Sequence, residues 1–197
     1  LPAMGSWLLL AVTNHITQHV ASIPFLWILP LSVYLLTFIL AFESDRWYRR
    51  ALFLPLAAVA LLLAGYGLNE GFGTRIKTAV PLYVGSLFVL CMVLHGEMAR
   101  RRPAPRHLTR FYLMISLGGA TGAVLVGILA RRLLPAHFEL PAGLVLCALL
   151  LLWQVRRDYP VFGVLGLAAL FTAIGCAIWG ATEFYRSTIS VARNFYG

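Results

Sequence analysis

Charged residues are scarce in this sequence, and acidic residues are the scarcest of them. Charged side chains make up 12% of the 197 residues, against roughly 25% in a typical soluble domain. There are 7 Asp and Glu residues in total, while 60% of the chain is apolar. A soluble fold of this length needs many more charges to cover its surface, so the composition excludes an ordinary water-soluble domain.

Carboxylates that converge on one site are missing as well. Acid–base catalysis and polyamine binding both need several acids in a sheltered pocket, and none of the 7 lies in the middle of an apolar stretch. Two interpretations are open for Glu43, Asp45, Glu97 and Asp158: a shallow acidic rim on one side of the protein, or solvated loop charges. The second is simpler, and the sequence predicts no catalytic residue in this chain.

The three cysteines do not have the spacing of a metal site. Cys91, Cys147 and Cys176 all lie within apolar stretches and form no C-x-x-C pair. We expect them to pack as small apolar side chains against lipid or neighbouring helices. The sequence predicts neither a bound cofactor nor a metal site built on cysteine.

Long stretches without charge are what the sequence has instead. Most are about as long as the ~20 residues that a helix needs to cross a bilayer core, and a charge at mid-membrane costs roughly 2.5–3.5 kcal/mol. The sequence therefore predicts an all-α fold, a polytopic transmembrane helix bundle of six or seven helices, in residues 1–182. The first and sixth stretches are the weakest. The stretches are Met4–Val20, Ile23–Phe42, Ala51–Asn69, Thr78–Gly96, Phe111–Ala130, Leu140–Val155 and Tyr159–Thr182.

The gap after the second stretch has the composition of a membrane border. Its residues Arg46, Trp47, Tyr48, Arg49 and Arg50 interleave arginines with aromatic side chains. Trp and Tyr favour the level of the lipid headgroups, and the long arginine side chain reaches from there into water. We expect these five residues to form an interfacial anchor.

The net charge of +9 predicts a membrane orientation rather than a nucleic-acid partner. The 16 Lys and Arg residues are spread over almost every gap and are densest between Arg100 and Arg110. Such basic groups usually mark cytoplasmic loops next to anionic lipid. By a small margin, the count places residues 43–50, 97–110 and 156–158 in the cytoplasm and the C-terminus outside.

The fifth stretch carries small residues at helical spacing. Gly118 and Gly122 are four residues apart, and Gly119, Ala123 and Gly127 form a second row with the same spacing. Small side chains let two helix backbones approach closely in lipid, where packing drives association. The pattern predicts a helix-packing face, and we expect other membrane proteins to bind there.

The polar end of the first stretch contains two histidines. His15 and His19 are four residues apart, so both would lie on one face of a helix. A histidine pair is a possible metal or haem ligand set, but the sequence shows no third ligand and no acidic partner. Hydrogen bonding between helices is therefore the favoured interpretation, and metal binding by His15 and His19 is the weaker alternative.

Five segments together follow the pattern of a bacterial family. They are Leu10–Ala21, Ile23–Leu31, Tyr34–Leu40, Phe111–Ala120 and Arg193–Gly197. In this order they resemble the membrane-embedded half of fused membrane/spermidine-synthase-like proteins, and the resemblance covers nearly the whole chain. It implies that residues 183–197 lead towards an aminopropyltransferase-like domain. The Gly-rich cofactor loop and the catalytic acids of such a domain are absent from this sequence.

The resemblance and the composition together give two expected functions. The first is a non-catalytic module of the bacterial inner (cytoplasmic) membrane that acts as an anchor or an accessory subunit of a larger membrane protein assembly. The alternative is a transporter or permeation module for polyamines or other small cations, which requires a polar path through the bundle near residues 14–19. Whether a full-length relative is an enzyme stays open.

Overall fold

The chain folds into α-helices. The computed structural model describes residues 1–19, 25–44, 46–68, 76–130, 132, 138–155, 166, 171–172 and 175–176. These ranges contain six α-helices and no strand, so the predicted all-α class is confirmed. The helices are α1 (Pro2–His19), α2 (Phe25–Glu43), α3 (Arg50–Gly67), α4 (Ile76–Ala99), α5 (Leu108–Val124) and α6 (Glu139–Val155).

Two short helical turns flank α5. A 3-10 turn at Pro105–His107 leads into it, and a π-helical segment at Leu125–Ala130 continues it. With these turns included, the apolar segment reaches the length of a membrane crossing.

Four apolar helical segments within the described ranges are long enough to cross a membrane, so the chain is a multi-pass membrane protein. They are Leu26–Glu43, Arg50–Gly67, Lys77–Ala99 and Pro105–Ile128. The first and sixth stretches were the weakest in the sequence: α1 ends in a polar run, and α6 is a shorter apolar helix. The seventh predicted stretch lies almost entirely outside the described residues, as does the segment 183–197.

Helix α4 lies at the centre of the described bundle. It packs against α1, α2 and α3, and α1 also contacts α5 and α6. Every residue from Cys91 to Ala99 is buried, which is the expected placement for a helix that is apolar on all sides. Several of the largest fully buried side chains, including Tyr83, Leu87 and Leu94, come from this helix.

One end of the bundle is held together by polar contacts to the last turn of α4. The C-terminal end of α6 and the N-terminal end of α3 contact it there, and the C-terminal end of α2 contacts Arg102 just after it. We call this region the Glu97 end, after the carboxylate at its centre. It contains the sequence stretch that follows α2 and the one that follows α4, which are the two most basic gaps of the chain.

Candidate functional site

A buried carboxylate forms the densest polar contact in the described part of the chain. Glu97 lies in the last turn of α4, and its side chain is 7% exposed. The Tyr48 hydroxyl donates a hydrogen bond of 2.9 Å to Oε1, and the Arg50 Nε atom lies 3.1 Å from the same oxygen. The Gln154 side-chain amide donates to Oε2 at 3.1 Å. Both carboxylate oxygens therefore accept hydrogen bonds or ion pairs from the protein.

Glycine at position 96 allows Tyr48 to reach this carboxylate. The Tyr48 ring lies directly against the backbone of Gly96, where a β-carbon would overlap the ring atoms. Burial raises the pKa of the Tyr48 hydroxyl, and the nearby Glu97 carboxylate raises it further. Tyr48 is consequently a neutral hydrogen-bond donor throughout the physiological pH range.

The Glu97 cluster joins four parts of the fold. Arg50 begins α3, Glu97 belongs to α4, Gln154 lies near the end of α6, and Tyr48 comes from the connection between α2 and α3. Arg100 adds a longer contact, with its Nη1 atom 3.8 Å from Oε1. A buried carboxylate that is contacted from three other parts of the fold is suited to fixing helix ends, because its hydrogen bonds and ion pair tie those parts together.

The structure corrects two expectations at this site. Glu97 was expected to be a solvated loop charge, yet it is buried because α4 continues to Ala99, three residues beyond the predicted end of the apolar stretch. Tyr48 and Arg50 were expected at the lipid interface, but both side chains turn inward to the carboxylate. Trp47 is 54% exposed.

The remaining two residues of the predicted anchor, Arg46 and Arg49, are also exposed. The anchor as predicted therefore divides into an outward set of three side chains and an inward pair. The connection between α2 and α3 therefore lies at the bundle surface and also contributes a contact that holds the helix ends together.

A second buried polar group lies deeper in α4. His95 is fully buried, and its Nδ1 atom is 3.1 Å from the Thr37 hydroxyl of α2. That hydroxyl already donates to the Tyr34 carbonyl at 2.7 Å, so Nδ1 carries the proton and donates to Thr37. The Nε2 atom then is an acceptor, and it has no hydrogen-bond partner among the described residues. The rings of Tyr34 and Phe38 pack edge-on against the imidazole.

The polar end of α1 finds an acidic partner that the sequence did not reveal. The Asn14 side-chain amide donates to the Glu139 carboxylate at 2.8 Å, and the Trp7 indole donates to the Glu139 carbonyl at 3.0 Å. His15 is buried and packs edge-on against Tyr83, with ring centroids 4.6 Å apart.

Of the two histidines predicted as a pair, only His15 has a side chain within the described residues. His19 is the last residue of α1, and its side chain lies outside the described residues. No cluster of three or more metal-ligating side chains occurs in the part of the chain that the structure describes. His15 itself is a buried residue at the contact between α1 and α4, and metal binding by the pair stays a prediction from the sequence.

The row of small residues on α5 packs mainly against α1 of the same chain. Gly118 lies against Pro2, Gly119 against Ser6 and Gly122 against the Ala3 backbone, where a β-carbon would overlap the carbonyl group. Ala123 and Gly127 are exposed, and no described atom beyond the helix's own nearby backbone lies within 4 Å of the position that a β-carbon would take at Gly127.

The N-terminal and C-terminal members of the two rows therefore have different surroundings, since Gly119 also lies against α1. The Gly118–Gly122 pair is occupied within the chain, so it is not available to a partner protein while α1 is in place. Ala123 and Gly127 are the two members of the predicted face that remain uncovered in the described structure.

The fold and the site define a multi-pass membrane protein whose helix ends are joined by a buried carboxylate. Comparison with known proteins adds no family: no family model, no curated protein and no solved structure matches this chain. The resemblance to the membrane half of spermidine-synthase-like proteins stays a prediction from the sequence.

Proposed function

We propose that this chain is a non-catalytic integral membrane module that serves as an anchor or accessory subunit of a larger membrane protein assembly. We place it in the bacterial inner membrane, in line with the resemblance to spermidine-synthase-like membrane proteins. The observation that carries the proposal is the uncovered outer face of α5.

Helix α5 is the least enclosed of the candidate membrane spans. Within its own chain 11% of the segment Pro105–Ile128 is buried, compared with 67% of Lys77–Ala99. Several of its large side chains, including Leu113, Leu117 and Val124, are more than half exposed. In a bilayer such a face meets either lipid or the helix of another protein.

Small residues on that outer face favour a protein partner. Ser116, Ala120, Ala123 and Gly127 are exposed and recur at intervals of three or four residues. This spacing aligns them along one side of the helix, where small side chains allow a second backbone to approach closely. The inner Gly118–Gly122 pair shows that α5 already packs in this way against α1.

The Glu97 cluster supports the non-catalytic part of the proposal. Its carboxylate oxygens are occupied by Tyr48, Arg50 and Gln154, which suits a group that fixes helix ends. Transport of polyamines or other small cations stays a prediction from the sequence. Within the residues 14–19 where that path was expected, Asn14 donates a hydrogen bond of 2.8 Å to the Glu139 carboxylate.

The test is purification of the protein from its native membrane in a gentle detergent, with mass spectrometry of everything that co-migrates. We expect fixed stoichiometry with one or more membrane proteins. Replacing Gly127 with leucine should abolish the association, because the side chain would enter the space that a partner helix needs.

The matched control is Gly85→Leu on α4. Gly85 is also exposed, and no neighbouring element in the described part of the chain lies within 4 Å of the position that its β-carbon would take, so the two changes differ little in local crowding or in helix propensity. We expect Gly85→Leu to retain the partner. Recovery of the wild-type chain as a stable, partner-free monomer would overturn the proposal, as would equal loss of the partner in both variants.

A further inference from the structure

A cavity of about 400 Å³ opens on the surface of the Glu97 end, between the turn that follows α4 and the first turns of α5. Its lining combines basic and apolar side chains. The lining residues are Arg101, Pro103, His107, Arg110, Phe111 and Met114. Such a combination suits a ligand that has an anionic group at one end and an apolar part at the other.

The arginines of this region fall into two groups. Arg100 contacts Glu97, and Arg102 donates to the Phe42 carbonyl and lies over the Phe42 ring, 4.7 Å from its centroid. Arg101 and Arg110, by contrast, are exposed and form no ion pair with a carboxylate in the described part of the chain. Two guanidinium groups at one cavity without a protein counter-charge favour an anion, and their planar donors match the oxygens of a phosphate.

The position of the cavity along the membrane-crossing helix favours a lipid over a soluble ligand. The candidate membrane span begins at Pro105, so Phe111 and Met114 lie about 9 and 14 Å further along the helix axis at 1.5 Å per residue. Arg101 lies before the start of this span, and Arg110, about 8 Å past Pro105, is near enough for its long side chain to reach back to the membrane border, while the apolar side chains extend into the hydrocarbon region. Leu117, one turn further, is 61% exposed and continues the apolar surface.

We propose that this cavity binds the phosphate headgroup of an anionic membrane phospholipid, with Arg101 and Arg110 on the phosphate and the acyl chains along Phe111 and Met114. Basic pockets between membrane helices are suited to lipid headgroups in this way. The inference is independent of the proposed subunit role. Gly127 lies about 25 Å from Arg110 along the helix at 1.5 Å per residue, so lipid and protein partner occupy different parts of α5.

The experiment uses the full chain in detergent and counts bound lipid by native mass spectrometry. Phosphatidylglycerol and phosphatidylcholine with identical acyl chains are titrated separately, and inorganic phosphate is added as a competitor. We expect phosphatidylglycerol to bind about tenfold more tightly than phosphatidylcholine, and Arg101→Gln/Arg110→Gln to remove that preference. Inorganic phosphate at millimolar concentration should leave the bound lipid in place.

Arg106→Gln is the matched control, because Arg106 belongs to the same basic turn and is exposed but does not line the cavity. It should keep the preference of the wild type. If Arg106→Gln loses the preference for phosphatidylglycerol as fully as the double variant does, the proposal is overturned, because the lipid then responds to the basic surface as a whole and not to this cavity. Equal binding of the two lipids, or displacement by inorganic phosphate, would also overturn it. Arg101 and Arg110 are exposed, so an unchanged thermal midpoint in lipid-free detergent verifies that the double variant is folded.

Discussion

Replacing Glu97 with glutamine is expected to lower the free energy of unfolding of the bundle by about 3 kcal/mol, since removing one member of a buried ion pair leaves the other charge uncompensated. The Glu97 and Arg50 side chains are 7% and 16% exposed, so water cannot fully replace the lost carboxylate. Glutamine has nearly the same size as glutamate, and the effect therefore reports the charge rather than a cavity.

The matched control for this prediction is Glu43→Gln. Glu43 is exposed and ends α2 at the same end of the bundle, so its replacement should leave the free energy of unfolding within about 0.5 kcal/mol of the wild type. Thermal unfolding in detergent, followed by circular dichroism, measures both variants. Adding Arg50→Gln to Glu97→Gln should recover part of the loss, because the second change removes the uncompensated charge. Equal midpoints for Glu97→Gln and Glu43→Gln would contradict the structural role of the cluster.

Replacing Gly122 with alanine is expected to push α1 away from α5 and to lower the free energy of unfolding. A β-carbon at this position would overlap the Ala3 carbonyl group, and a backbone atom cannot move aside by changing a rotamer. Overpacking of this kind typically costs about 1–3 kcal/mol. We expect the upper part of that range, because α1 must shift as a rigid helix and would also disturb the contacts of Gly118 and Gly119 with Pro2 and Ser6.

The same helix supplies the comparison for this change. Gly127→Ala adds the same methyl group in a place where no neighbouring helix of the described bundle lies within 4 Å, so we expect no loss of stability. Detergent melting curves should show a lower midpoint for Gly122→Ala and an unchanged or slightly higher one for Gly127→Ala, since alanine has the better helix propensity. Identical midpoints for the two variants would contradict the close contact between α5 and α1.

The helices were predictable from the sequence because the bilayer imposes a simple rule. A segment that crosses the hydrocarbon core must be long, apolar and helical, and the charge-free stretches around α2, α3, α4 and α5 satisfy that rule. The ends of the helices were less predictable. The apolar stretch of α4 ended at Gly96 in the sequence, while the helix continues through Glu97 to Ala99 because its carboxylate finds donors inside the bundle.

The candidate site was not predictable because its members are far apart in the chain. Tyr48 and Gln154 lie 49 and 57 residues from Glu97, and Asn14 lies 125 residues from Glu139. Hydropathy identifies segments but carries no information about which segments become neighbours. An arginine near a tryptophan in a gap between apolar stretches looks the same in sequence whether its side chain is exposed, as that of Arg46 is, or turns to a buried acid, as that of Arg50 does.

The small residues of α5 show a second feature that the sequence could not predict, which is the identity of the helix that packs against them. Their spacing correctly marks positions where a helix backbone can be approached closely, and Gly122 is such a position. The packing forces are the same within one chain and between two chains, so the spacing alone does not say which helix approaches. In the structure the Gly118–Gly122 pair faces α1, and only Ala123 and Gly127 of the predicted face are left uncovered among the described residues.

The most direct test of the account asks whether α4 crosses the membrane. Single cysteines replace Lys77, at the start of α4, and Arg106, in the turn after it, both of which are exposed. The native Cys91, Cys147 and Cys176 are buried, so the unmodified chain gives the background reaction. A membrane-impermeant maleimide applied to sealed, right-side-out vesicles should label Lys77→Cys at once and Arg106→Cys only after permeabilisation. Labelling of both positions from the same side would contradict a membrane-spanning α4 and the bundle built around it.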